Sequence, residues 1–204
     1  MDYVYVRVWS IFVLLFSVIV HEYSHAYAAL TQGDDTASLA GRLTLNPLPH
    51  IDPVGSLLVP LLLMLTRARI FVGWARPVPI NPLRFRDMDR GTVIVSAAGP
   101  LANMFLGVGF ALGARALSAQ EGFSVLLYEG GLVNFWLAFF NLVPVPPLDG
   151  SKILSVLLPY RWKWSYLQWE RYGMIVILIA IYSGLLSWIS PLVQFLVDWL
   201  SGFK

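Results

Sequence analysis

His21-Glu22-Tyr23-Ser24-His25 is the segment of this 204-residue chain best equipped for chemistry. At helical pitch, His21 and His25 stand one turn apart on one face. That spacing presents two imidazoles to a zinc ion, with Glu22 beside them to act on a water. The pentapeptide closes an apolar run from Val8 to Val20. Ionisable groups at the edge of hydrocarbon are costly and mark function by default. A metal centre is therefore expected here, rather than a polar cluster that only packs helices.

Two histidines leave a catalytic zinc one protein ligand short. The chain has no cysteine, so the missing donor is a His, Asp or Glu. His50 is the one remaining histidine, in the loop Asn46-Pro-Leu-Pro-His50-Ile-Asp52-Pro. The favoured donor is Asp149, in Asn141-Leu-Val-Pro144-Val-Pro146-Pro147-Leu-Asp149-Gly150. Those prolines break a helix and turn a carboxylate inward, at the leaflet where His21 and His25 lie. Gly150 suits an Asp-Gly turn. His50 reads as a loop residue that orients substrate or shields the metal. Asn141, beside the break, is a candidate to bind substrate or an oxyanion.

The elements that position these residues are membrane spans. The chain is 57% hydrophobic and 13% charged, with a mean hydropathy of +0.67. A soluble domain carries about 25% charged residues. Eight Trp and nine Tyr suit two membrane interfaces. A net charge of +2 gives no footing for nucleic acid. Four segments are long enough to cross: about Tyr5–Leu30, Thr92–Leu117, Ser124–Val143 and Tyr172–Trp199, the last with a bend at Pro191. Arg7, the apolar run and Ala26-Tyr27-Ala28 also resemble a cleavable secretory signal, but cleavage would discard the His-Glu motif. A fifth apolar run, Val54–Leu65, has 12 residues. It reaches about 18 Å and falls short of a core of about 30 Å, so it is expected to dip in without spanning.

Charge sets the topology. Seven arginines fall between Thr31 and Arg90, and Lys152, Arg161 and Lys163 follow the third span. Both basic loops are expected in the cytosol, with both termini outside. Phe71–Pro82 contains Pro77, Pro79 and Pro82, so it favours extended backbone. A strand there could pair with an unwound peptide, which makes Trp74 and Pro77 candidate substrate contacts, or the segment could be a cytosolic loop that simply covers the bundle. Ser96, Gly99, Asn103 and Gly107 share one face of the second span, and Asn134, Ala138 and Asn141 one face of the third. Small residues at that spacing usually mean close helix packing, and Asn103 and Asn134 are assigned to it.

The expected architecture is an all-α polytopic membrane protein with about four spans, a short non-spanning segment and a hairpin-like membrane-associated loop. One domain is expected over 1–204, with a catalytic core of about 5–154 and a further helix at about 172–199.

Three stretches together resemble the site-2 protease family of intramembrane zinc metalloproteases. They are HEYSH at 21–25, Ala98-Gly99-Pro100-Leu101-Ala102-Asn103, and N-x-x-P-x-P-x-x-D-G at 141–150. The resemblance covers about Tyr5 to Leu154. It implies zinc on His21, His25 and Asp149, with Glu22 as the base. It further implies cleavage in or near transmembrane helices of protein substrates in the cell membrane, at a site near the cytosolic leaflet. A membrane-entering β-hairpin between the first two core helices would match Phe71–Pro82. The chain has no PDZ-like insertion and resembles a compact bacterial subgroup. The competing reading is a zinc-binding membrane adaptor without activity, or a metal transporter. A transporter would spread ionisable residues along the bilayer, and an inactive adaptor usually loses its base or a ligand.

Overall fold

The computed structural model describes residues 3–52 and 76–203. Among them all regular structure is helical: α1 Tyr3–Gln32, α2 Thr36–Leu39, α3 Met88–Ala116, α4 Glu121–Asn141, α5 Asp149–Leu157, α6 Tyr160–Gln168, α7 Glu170–Tyr182 and α8 Ile189–Ser201. Short 3-10 turns occupy Leu48–His50 and Pro82–Arg84. Val54–Leu65 and Trp74 lie outside the described residues, as does the rest of 71–75 in the hairpin-like loop.

Among the described residues, three helices are long and apolar enough to cross a bilayer: Val8–Gln32, Met88–Ala116 and Gly122–Asn141. This is an all-α polytopic membrane protein. α1 turns Val8, Phe12, Leu15 and Phe16 outward and buries Val13, Ser17, His21 and His25. In lipid, helices associate through close packing and interhelical hydrogen bonds. α3 is built for that, with Val95, Gly99, Asn103, Gly107 and Ala111 buried at every fourth position. A Cβ on Gly107 would lie 2.9 Å from the Phe135 ring. That glycine therefore admits α4 close to α3. α3 packs against α1, α4, α5 and α8, and so forms the hub.

The fourth expected span takes a different form. Tyr172–Trp199 divides into α7 and α8, joined through Gly184 at φ 74. Pro191 does not bend it; it sits in the first turn of α8, where its missing N–H costs nothing. Each helix has 13 residues and reaches about 20 Å. α8 buries Ile189, Val193 and Val197 in the cluster containing Ala111 and Phe135. Tyr128 Oη donates to Asp198 at 2.6 Å and ties α4 to α8.

α1 stops at Gly33, whose φ of 108 is open to glycine. Gly33 and Asp34 return their N–H groups to Leu30 and Ala29, which closes the helix end. Asp34 is fully buried. Its carboxylate accepts from the Thr36 N–H and hydroxyl and, at 2.7 Å, from Asn81 N–H. Burial pushes this carboxyl up. The bonds from Thr36 and Asn81 outweigh that and hold it below the usual carboxylate range.

Candidate metal centre

His21 and His25 project from one face of α1, one turn apart, as their spacing predicts. Asp149 arrives from the first turn of α5. All three are buried, and their ligand atoms lie within 4.8 Å of one another. The Nε2 atoms of the two histidines are 3.0 Å apart. Asp149 Oδ2 is 3.1 Å from Nε2 of His21 and 3.0 Å from Nε2 of His25.

The outer nitrogens decide what this triangle is. His21 Nδ1 is 2.6 Å from Asn103 Oδ1, and His25 Nδ1 is 2.6 Å from the Val95 carbonyl. The Asn103 orientation is set independently, because its Nδ2 donates to Ser17 O and to Asn134 Oδ1. Asn134 Nδ2 in turn donates to Gly130 O. Both histidines therefore carry their proton on Nδ1, facing acceptors. Both Nε2 lone pairs then point at each other and at a carboxylate oxygen. Three acceptors about 3 Å apart repel unless a cation lies among them.

The dimensions fit zinc. Tetrahedral ligands at about 2.0–2.1 Å stand about 3.3 Å from one another, close to the edges of this triangle. A Cβ at Gly99 would lie 2.5 Å from His25 Nε2 and 2.6 Å from His21 Nε2. Glycine at 99 keeps that space open. Nδ1–H bonds to an amide and a carbonyl are also the outer partners that orient histidine ligands.

α5 is brought to α1 by a close turn after α4. A Cβ on Gly150 would fall 2.1 Å from the Leu142 carbonyl. This corrects the expected Asp-Gly turn: Gly150 is helical, and glycine is needed there for contact with the end of α4. Lys152 Nζ reaches the second oxygen, Asp149 Oδ1, at 3.4 Å.

Glu22 lies beside the triangle. Its Oε2 accepts from the Val78 N–H at 2.8 Å. The described part of the extended loop, 76–81, does run without regular secondary structure. Its N–H groups at 76, 78 and 81 donate to His50 O, Glu22 and Asp34, so those three are not open for strand pairing.

The remaining candidates are engaged by other partners. His50 is 2% exposed, with Nε2 on the Thr44 carbonyl at 2.9 Å. It braces the loop and does not belong to the His/Asp group. Asn141 Nδ2 donates to Leu137 O of its own helix at 2.9 Å. Pro77 offers its carbonyl to Arg42. Asn103 and Asn134 do lie between helices as expected, and they also brace His21, a role that sequence spacing missed. Their total burial inside an apolar bundle is the physical sign of it.

Known proteins agree with this chemistry. The profile of peptidase family M50 matches residues 111–183, which include Asp149. A Bacillus subtilis (strain 168) protein named "Putative zinc metalloprotease YwhC" is 38% identical over 194 residues, 89% of this chain and 83% of that protein. The chain belongs to peptidase family M50. A Mycolicibacterium smegmatis relative, the similarly named Rip2, is 30% identical over 203 residues, 97% of this chain and 76% of that protein. Zinc metalloprotease MJ0392 of Methanocaldococcus jannaschii is 27% identical over 185 residues, 88% of this chain and 44% of that protein. No solved structure matches the chain significantly. This M50 chain is a membrane metalloprotease, and zinc is the cofactor that its family and its donor set imply.

Proposed function

We propose that this M50 chain hydrolyses peptide bonds in or next to transmembrane segments of membrane-protein substrates, as in regulated intramembrane proteolysis. His21, His25 and Asp149 hold the zinc, and Glu22 is the base. The observation that carries this reading is the convergence of three buried acceptor atoms beside a second acidic group, Glu22, inside a bundle whose outer surface is apolar.

When bound, zinc acidifies a water and polarises the scissile carbonyl. Asn103 and the Val95 carbonyl hold the imidazole protons on Nδ1 and aim both Nε2 atoms inward. Glu22 Oε2 is held by Val78, which leaves Oε1 to take the water's proton and pass it to the departing amine. The buried surroundings of the triangle limit bulk water to what the reaction consumes.

The basic residues support a cytosolic location for the site. Arg84 pairs with Asp35, and Lys163 bonds Asp89 at 3.1 Å, so the end of α1, the start of α3 and helix α6 share one end of the bundle. By the positive-inside rule that end faces the cytosol, in a multi-pass protein of the cell membrane. The whole chain then works as one domain, with α7 and α8 appended to a core that ends near 154.

The test compares cells carrying the wild-type protein with cells carrying Glu22→Gln, by mass spectrometry of membrane peptides. Cleavage within or beside transmembrane segments is expected to vanish in the variant. Persistent cleavage with zinc retained would remove Glu22 from its role. Cleavage of a detached soluble peptide as readily as its membrane-spanning parent would remove the intramembrane part of the reading.

A further inference from the structure

The segment Arg76-Pro77-Val78-Pro79 has an uncommon property for an extended strand. Proline has no N–H, so the Val78 amide is an isolated donor between two residues that cannot donate. That amide goes to Glu22 Oε2 at 2.8 Å. The carbonyl of the same peptide unit belongs to Pro77, and it accepts from Arg42 Nη2 at 3.3 Å. The same Nη2 donates to the Arg76 carbonyl at 2.5 Å.

Arg42 is 7% exposed, and its backbone is anchored by a 2.8 Å bond to Ala37 O. Val78 packs its side chain against Ala26 and Ala37. A guanidinium thus holds one end of the Pro77–Val78 peptide group, and the Glu22 carboxylate holds the other. Hydrogen bonds in such a chain polarise one another, and each restricts the next.

We propose that Arg42 is a positioning residue for Glu22, acting through the Pro77–Val78 peptide group. It fixes Oε2 and thereby fixes the direction of Oε1. This rests on the reading of Glu22 as the base. The segment that sequence alone marks for substrate pairing spends its central donor on the enzyme's own carboxylate.

Val78→Pro removes the N–H, and Val78→Ala serves as its reference, since both lose the valine packing. The full chain is assayed with zinc in detergent micelles against a fluorescein-labelled membrane-spanning peptide, identified as cleaved by the wild type in the membrane-peptide comparison above. A misplaced catalytic group costs on the order of 100-fold. Val78→Pro is expected about that far below Val78→Ala in kcat, with KM and zinc content matched. Arg42→Ala falls similarly in kcat, and Arg42→Lys recovers part of the loss. A staple that is only structural would instead raise KM or lower the melting temperature, with Val78→Pro no worse than Val78→Ala.

Hydrogen exchange needs no turnover. Glu22→Ala and Arg42→Ala are each expected to speed exchange of the Val78 amide by at least about ten-fold, the effect of losing about 1.4 kcal/mol of protection. Unchanged exchange in Glu22→Ala overturns the proposal. A Glu22→Gln protein that still cleaves overturns the base reading. An inactive Glu22→Gln with Val78→Pro equal to Val78→Ala overturns the positioning role alone.

Discussion

The Asn103 carboxamide oxygen stands 2.6 Å from Nδ1 of His21, a residue 82 positions earlier in the chain. The contact fixes both the tautomer and the plane of the imidazole. Asn103→Leu keeps the branching of the side chain and removes the acceptor, leaving a buried N–H without a partner. Zinc affinity is expected to fall about 10–100-fold, measured by competition with a chromophoric chelator. Asn134→Leu acts one bond further out and should cost less. Equal affinity in Asn103→Leu would show that the amide does not orient His21.

Gly99→Ala places a methyl group 2.5–2.6 Å from two Nε2 atoms. Alanine is the better helix former by about 1 kcal/mol, so the metal-free helix does not suffer from propensity. The histidines must separate instead. Zinc bound per chain, read by elemental mass spectrometry, is expected to drop well below one. Full occupancy would mean that the triangle can widen without losing its ion.

Removing the metal should destabilise the fold. Three converging acceptors repel once the cation leaves, and a ligand bound only to the folded state contributes about 2.7 kcal/mol at a hundred times its Kd. Chelation is expected to lower the melting temperature of the wild type. Asp149→Asn, with its carboxylate gone, should show a much smaller response to chelator. Equal responses would place the stabilising ion elsewhere.

Asp34 gives a pH dependence outside the membrane-spanning segments. Its folded pKa is depressed, so the unfolded chain binds the proton more tightly. The stabilisation is complete above the ordinary carboxylate pKa of about 3.9 and fades as pH falls towards the lower folded value. Asp34→Ala also strands the N–H groups of Thr36 and Asn81, at a cost of about 1–3 kcal/mol near neutral pH. The difference between wild type and variant in denaturant should shrink on acidification. A difference that grew would reverse the sign assigned to this carboxylate.

Much of the site is legible in sequence because its residues are chemically expensive where they sit. HEYSH ends an apolar run, and Asp149 follows a proline break, so cost and spacing point to the same three donors. Asn103 and Asn134 are harder to read. A polar residue on a small-residue stripe looks the same whether it packs a helix or orients a ligand, and only the partner across the interface separates the two. The Val78–Glu22 bond depends on the register of a loop against α1, which local pattern does not encode. The division of the last segment into α7 and α8 has the same origin. Its composition stays apolar through the break, and Gly184 and the packing of α8 on α3 and α4 set where the chain turns.

Val95, Gly99 and Asn103 occupy successive turns of α3, and they meet His25, the space between the imidazoles, and His21 in that order. The two helices therefore engage like a key in a lock cut at three levels. Sliding α1 by one residue along α3 would break both Nδ1 bonds and drive a ring into the space that Gly99 leaves. α1 and α3 must travel as one body. If the substrate is a membrane helix, as proposed, it has to be admitted by movement of parts that do not carry this engagement, such as α7 and α8.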